Sequence, residues 1–81
     1  MTVEQFLDSG IDLSWNDKII LFYEKFPPRC TIVEIPQSLN GFPYEIVEMC
    51  RDAFHSDLNH TLETLTAGME EGQQILSLSL F

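Results

Sequence analysis

The 81 residues are enough for one small domain, which buries about 60–65% of the surface that its unfolded chain exposes. Apolar residues make up 44% and charged residues 21%, a composition typical of folded chains rather than disordered ones. Thirteen Asp and Glu against four Lys and Arg give a net charge of −9. This balance argues against direct binding to nucleic acid or to anionic lipid, because both need a surplus of cations.

Neither a membrane-spanning segment nor a secretory signal is evident. No apolar run approaches the roughly 20 residues that cross a bilayer. The first ten residues contain Glu4 and Asp8, where a secretory signal would have basic residues and then an apolar stretch. We therefore expect one cytoplasmic domain over residues 1–81, with no membrane partner.

The two cysteines, Cys30 and Cys50, are predicted to be buried free thiols, because both have apolar neighbours and the expected compartment is reducing. Cys50, His55 and His60 are five residues apart, so on a helix they point in different directions. Metal ligands on a helix are typically four residues apart and share one face. No metal and no cofactor is predicted.

The first 25 residues predict two helices. Thr2 and Gln5 match a capping box, and Gly10 can end the helix that it starts. A second helix is predicted over residues 15–25, where apolar side chains recur at i, i+4, i+7 and i+11: Trp15, Ile19, Phe22 and Phe26.

The middle of the chain predicts a short strand and then helical structure. Residues 31–35 are rich in β-branched side chains and end at a proline, which indicates a strand. Residues 42–55 have two interpretations: a helix that begins at Pro43, which fits the local pattern better, or a strand that alternates from Tyr44. Residues 57–67 again have helical spacing of leucines.

The C-terminal residues 74–80 predict a strand with one buried face, formed by Leu76, Leu78 and Leu80. We expect it to pair with the strand at 31–35. The alternative is that it stays at an exposed sheet edge and forms a homodimer there. The predicted fold class is a small α+β domain with two N-terminal helices, a short central strand, a helical middle and a C-terminal β-strand.

Part of the middle resembles a known repeat. Residues 35–49, with the Ile35-Pro36 step and the loop glycine Gly41, followed by the Ala53-Phe54 pair, resemble one unit of the bacterial surface-antigen type of leucine-rich repeat. Residues 61–66 resemble the start of the next strand, so the resemblance covers residues 31–66 at most. It implies protein recognition and supplies no catalytic residue.

Acidic residues concentrate at the two ends of the sequence. Residues 1–17 contain four acids and residues 52–81 contain five, with no Lys or Arg in either segment, whereas residues 18–51 are balanced. If the two ends meet in the fold, they form one strongly negative side, which would speed the encounter with a basic partner.

We therefore expect a non-enzymatic acidic protein that binds and blocks a basic surface of a partner protein. An inhibitor, an immunity protein, an antitoxin or a phage anti-defence factor would act in this way, and a nucleic-acid mimic is the sharpest form of the idea. The expected partner is a basic protein such as a nuclease or another nucleic-acid-binding protein. The candidate contact residues are Asp8, Asp12, Trp15, Phe42, Asp57, Glu63, Glu70 and Glu71.

Three alternatives remain open. The first is an interaction module of the leucine-rich-repeat type, and the second is self-association through residues 74–80. The third is a small enzyme that uses His55 or His60, each of which follows an aspartate by three residues and could pair with it on a helix.

Overall fold

A four-stranded mixed sheet with two helices on one face makes up the fold of the computed structural model, which describes residues 1–81. The elements, in chain order, are α1 (Val3–Leu7), β1 (Lys18–Tyr23), β2 (Arg29–Glu34), α2 (Pro43–Ala53), β3 (Leu62–Glu70) and β4 (Gln73–Leu80). Short 3-10 turns at Gln37–Leu39 and His55–Asp57 flank α2. The small α+β domain is thus confirmed, although its elements differ in part from those predicted.

The strand order is β2-β1-β4-β3. β1 pairs with β2 in antiparallel and with β4 in parallel orientation, and β3 pairs with β4 in antiparallel orientation. The predicted C-terminal strand is therefore present, but its neighbours are β1 and β3 rather than residues 31–35. Because both edges of β4 are hydrogen-bonded within the chain, the alternative of a homodimer through an exposed edge at residues 74–80 is wrong.

The two helices form where local signals place them. In α1 the Thr2 hydroxyl accepts a hydrogen bond from the Gln5 amide at 3.1 Å, and the Gln5 side chain accepts one from the Thr2 amide at 2.9 Å. α2 begins at Pro43, which has no amide hydrogen to leave unpaired, and buries Ile46 and Cys50. The helical interpretation of residues 42–55 is confirmed.

The predicted helix over residues 15–25 is wrong, because this segment contains strand β1. Ile19 and Leu21 are buried, and they alternate with partly exposed side chains as in a strand with one core face. The outer members of the predicted helical stripe, Trp15 and Phe26, are 75% and 96% exposed. A short run of consecutive apolar residues satisfies both periodicities, and backbone pairing with β2 and β4 decides between them.

The predicted helix over residues 57–67 is wrong for a similar reason. Residues 62–70 form strand β3, which a two-residue turn connects to β4. Both turn residues, Glu71 and Gly72, have positive φ angles (51° and 79°), which suit the twist of a tight hairpin. Leu65 and Met69, two members of the predicted helical stripe, are exposed.

The core lies between the sheet and the helices. The sheet contributes Ile19, Leu21, Val33, Leu76, Leu78 and Leu80, and the helical side contributes Val3, Phe6, Leu7, Ile46, Cys50 and Phe54. Both cysteines are free, as predicted, but only Cys50 is buried. Burial raises the pKa of the Cys50 thiol to about 12, so this group is inert, whereas Cys30 is exposed.

Candidate interaction surface

The helical side of the molecule carries more than half of the net charge of −9. It has a single Lys or Arg, Arg51, and six carboxylates from α1, residues 8–12 and α2: Glu4, Asp8, Asp12, Glu45, Glu48 and Asp52. The other three cations, Lys18, Lys25 and Arg29, belong to β1, β2 and the loop between them. We call these six carboxylates the acidic layer. Three of its members come from the N-terminal segment and three from α2, of which Glu45 and Glu48 belong to residues 18–51, the segment whose charges balance.

Arg51 joins the two helices within the acidic layer. Its guanidinium is hydrogen-bonded to the Asp8 carboxylate, and it lies 3.8 Å from Glu4 Oε1 and 3.6 Å from Glu48 Oε1. The hydrogen bond to Asp8, with the nearby acids, raises the pKa of Arg51. The only cation of this side is therefore already paired, and it holds α1 against α2.

A groove of about 590 Å³ lies between the end of α1 and α2. Its apolar surface comes from Leu7, Ile11, Tyr44 and Val47, and its charged rim from Asp8, Glu48 and Arg51. Tyr44 is 72% exposed and Ile11 is also exposed. The groove thus combines apolar surface that a partner could cover with carboxylates that a basic partner could pair with.

Two predicted contact aromatics are exposed near this side. Trp15 lies beside Asp12, whose carboxylate accepts hydrogen bonds from the amide and hydroxyl of Ser14. These hydrogen bonds lower the pKa of Asp12 and keep it ionised. Phe42 is 51% exposed and immediately precedes α2, next to the groove residues Pro43 and Tyr44.

The predicted contact acids on and after β3 do not belong to the acidic layer. Glu63 lies at the start of β3, whereas Glu70 and Glu71 lie at its far end, by the turn into β4. The register of the sheet places Asp17 and Glu34 at that same end, together with Lys18. This end of the sheet forms a second, smaller group of carboxylates.

Asp57 is the one predicted contact residue that the structure contradicts, because it is only 3% exposed. Its Oδ1 accepts hydrogen bonds from the Tyr23 hydroxyl at 2.6 Å and from Arg29 Nη2 at 3.0 Å. Burial, followed by the hydrogen bond to Asp57, raises the pKa of Tyr23 to about 12. A buried carboxylate with these two partners fastens the turn after α2 to the ends of β1 and β2 and is closed to a partner protein.

The two histidines differ in their surroundings. His60 Nε2 lies 3.9 Å from Asp57 Oδ1, and its ring meets the ring of Tyr23 edge to face at 5.3 Å between centroids. His55 is exposed and has no carboxylate within ion-pair distance. No group of three or more His, Cys, Asp or Glu side chains is arranged to hold a metal ion.

Comparison with protein families, with curated proteins and with solved structures finds no match to this chain. The resemblance of residues 31–66 to a leucine-rich repeat therefore stays a prediction. Neither helix is long and apolar enough to cross a membrane.

Sequence reasoning missed the groove and the part of Arg51 in it. Ile11, Tyr44 and Arg51 are separated by up to 40 positions in the chain, and no local pattern relates them. The one available signal was Arg51 itself. It is the only cation in α2, which also contains Glu45, Glu48 and Asp52.

Proposed function

We propose that this domain is a non-enzymatic binding protein that covers a basic surface of a partner protein with its acidic layer and the adjoining groove. The observation that supports this proposal most strongly is the charge of the helical side, which has six carboxylates and only one Lys or Arg, already paired with three of them. A surface of one sign attracts a basic partner over a distance of about one Debye length and repels nucleic acid and acidic proteins.

The groove supplies the second step of the proposed binding. Charge speeds the encounter, whereas stable complexes depend on a few apolar or aromatic side chains that become fully covered. Ile11 and Tyr44 are exposed in the groove, and Trp15 and Phe42 are exposed close to the same elements. We expect these four side chains to provide the covered centre and the carboxylates to provide its polar rim.

A nona-arginine peptide is a suitable first probe of the charged surface, with binding measured by calorimetry. The test variant is Glu45→Gln with Asp52→Asn, which removes two exposed charges of the acidic layer without breaking an ion pair. The matched control is Glu24→Gln with Glu63→Gln, which removes the same charge from two acids outside the acidic layer, one after the end of β1 and one at the start of β3. We expect the test variant to weaken binding at least about threefold more than the control.

The native target is then identified with the same pair of variants. A protein that the wild type and the control retain from a host lysate at low salt, and that the test variant and high salt both release, would support the proposal. If binding to the probe and to every retained protein is equal for the two variants, the acidic layer is not the binding surface.

A further inference from the structure

The face of the sheet that points away from the helices is uncovered. Both helices and the whole core lie on the other face, and the domain measures 35 × 28 × 17 Å, which corresponds to one helical layer on one sheet. Strand alternation places Ile20 and Phe22 of β1, Ile32 of β2 and Ile75 of β4 on the uncovered face. Ile32 is 51% exposed. A solvated sheet face is normally polar, so these four side chains call for an explanation.

The two halves of this face differ in the size of their side chains. Large apolar side chains, Ile20, Phe22 and Ile32, stand on the half formed by β1 and β2, where Ile20 and Phe22 also line a groove of about 370 Å³ with Cys30. The half formed by β3 and β4 has small side chains, including Thr66, Gly68 and Ser77, around a depression of about 130 Å³. A Cβ atom added at Gly68 would meet nothing within 4 Å, which shows that the depression is open. A two-fold axis parallel to the strands would place the large side chains of β1 and β2 in one copy over the small side chains of β3 and β4 in the other.

The distribution of charge over the molecule indicates which partner binds to this face. Among the charged side chains of the strands, only Lys18, Glu34 and Glu70 point to this face. Lys18 and Glu34 are direct neighbours across β1 and β2. A second copy that approached the helical side would bring the two acidic layers together. The uncovered face is the broad surface on which two molecules of charge −9 can meet with least repulsion. We propose that this face binds a second copy of the chain, in a face-to-face pairing of the two sheets.

The size of the face predicts a weak dimer. Four strands spaced by about 4.8 Å, with about seven residues each at about 3.3 Å, give a flat area of about 440 Å² per copy. The pair then covers about 900 Å², below the roughly 1,200–2,000 Å² of stable interfaces. We therefore expect a dimer that forms at about 0.1–1 mM protein and dissociates on dilution.

The experiment is sedimentation equilibrium of the full chain from about 10 µM to about 1 mM, in about 50 mM and about 500 mM NaCl. The dimer should increase with protein concentration and also with salt, because salt screens the repulsion between two acidic molecules. The salt response of the proposed partner binding has the opposite sign, so the two proposals can fail separately. A chain that is monomeric under all these conditions overturns the inference.

Two substitutions locate the interface. Ile32→Lys places a charge among the large apolar side chains of β1 and β2, and Gly68→Arg fills the depression between β3 and β4, where the monomer has room for the side chain. Each change occurs twice in a symmetric dimer and should weaken it at least about tenfold. Leu65→Lys is the matched control, since Leu65 is similarly exposed (47%) but points to the other face of the sheet. A dimer that Ile32→Lys and Gly68→Arg leave intact, in variants that circular dichroism shows to be folded, contradicts the inference.

Cys30 provides an independent measurement. It is exposed and lies on the uncovered face opposite Phe22, whereas Cys50 is buried and unreactive. The rate at which a thiol reagent modifies Cys30 should fall at least about threefold between dilute and concentrated protein, because the second copy covers it. An unchanged rate in a solution that contains dimer would show that the dimer uses another surface.

Discussion

The hydrogen bond between Tyr23 and Asp57 should be a measurable part of the stability of the domain. It is 2.6 Å long, and its acceptor is a carboxylate that is only 3% exposed. A hydrogen bond to a charged group contributes about 1.5–3 kcal/mol, so Tyr23→Phe should lower the free energy of unfolding by about 2 kcal/mol. For a domain of this size that corresponds to a fall in Tm of about 8–16 °C at neutral pH.

The pH dependence gives the same interaction a second test. The pKa of Tyr23 is raised to about 12 in the folded protein, compared with the ordinary tyrosine value of 10. The folded state therefore favours the protonated phenol, and this contribution is complete below pH 10 and is lost as the pH rises towards 12. A shift of this size corresponds to about 2.7 kcal/mol, which is an upper limit because solvent reaches part of the ring.

Thermal unfolding of the wild type and of Tyr23→Phe, followed by circular dichroism from pH 8 to pH 12, tests both statements. The difference in Tm should be constant up to about pH 10 and then shrink, because the wild type alone loses this contribution. Tyr44→Phe is the control, since Tyr44 is exposed and its hydroxyl has no protein partner. If Tyr23→Phe lies within about 0.5 kcal/mol of the wild type, or if the difference persists to pH 12, the interpretation of Asp57 is wrong.

Further predictions concern the core, the capping box and the acidic layer. Phe54→Ala should lower the free energy of unfolding in urea by about 3–5 kcal/mol, because Phe54 is completely buried. The control, Phe26→Ala, should change it by less than about 0.5 kcal/mol, because Phe26 is 96% exposed. Similar values for the two variants would contradict the described core. Thr2→Ala should cost about 1 kcal/mol in the same assay, and no loss would show that the capping box does not hold α1. Arg51→Gln should tighten binding of nona-arginine, because it frees the carboxylates of Asp8 and Glu48. The same change should lower the free energy of unfolding by at most about 1 kcal/mol. Weaker binding would contradict the proposed role of the acidic layer.

The candidate surface could be predicted only in part. Asp8, Asp12, Trp15 and Phe42 are exposed on or near the helical side, as an interacting surface requires. Asp57 could not be separated from the exposed acids, because its burial depends on Tyr23 and Arg29, which are 34 and 28 positions away. Ion pairs and grooves of this kind arise from packing between elements, and no local pattern encodes them.

Local hydrogen bonding and side-chain alternation determined α1, α2 and β4. The capping box, Pro43 at the first position of α2 and the alternating leucines of residues 76–80 each act within a few residues, so the sequence alone indicates those elements. The charge of −9 also follows from the sequence, and with it the class of partner that we propose.

Tertiary structure decided β1 and β3. Their apolar residues fit a helix as well as a strand, and the choice depends on hydrogen bonds to strands that are distant in the chain, such as β4 beside β1. The same pairing placed β4 inside the sheet, buried Asp57 beneath Tyr23 and left one sheet face uncovered. A strand has no internal hydrogen bonds of its own, so only its neighbours determine where it forms and which face it buries.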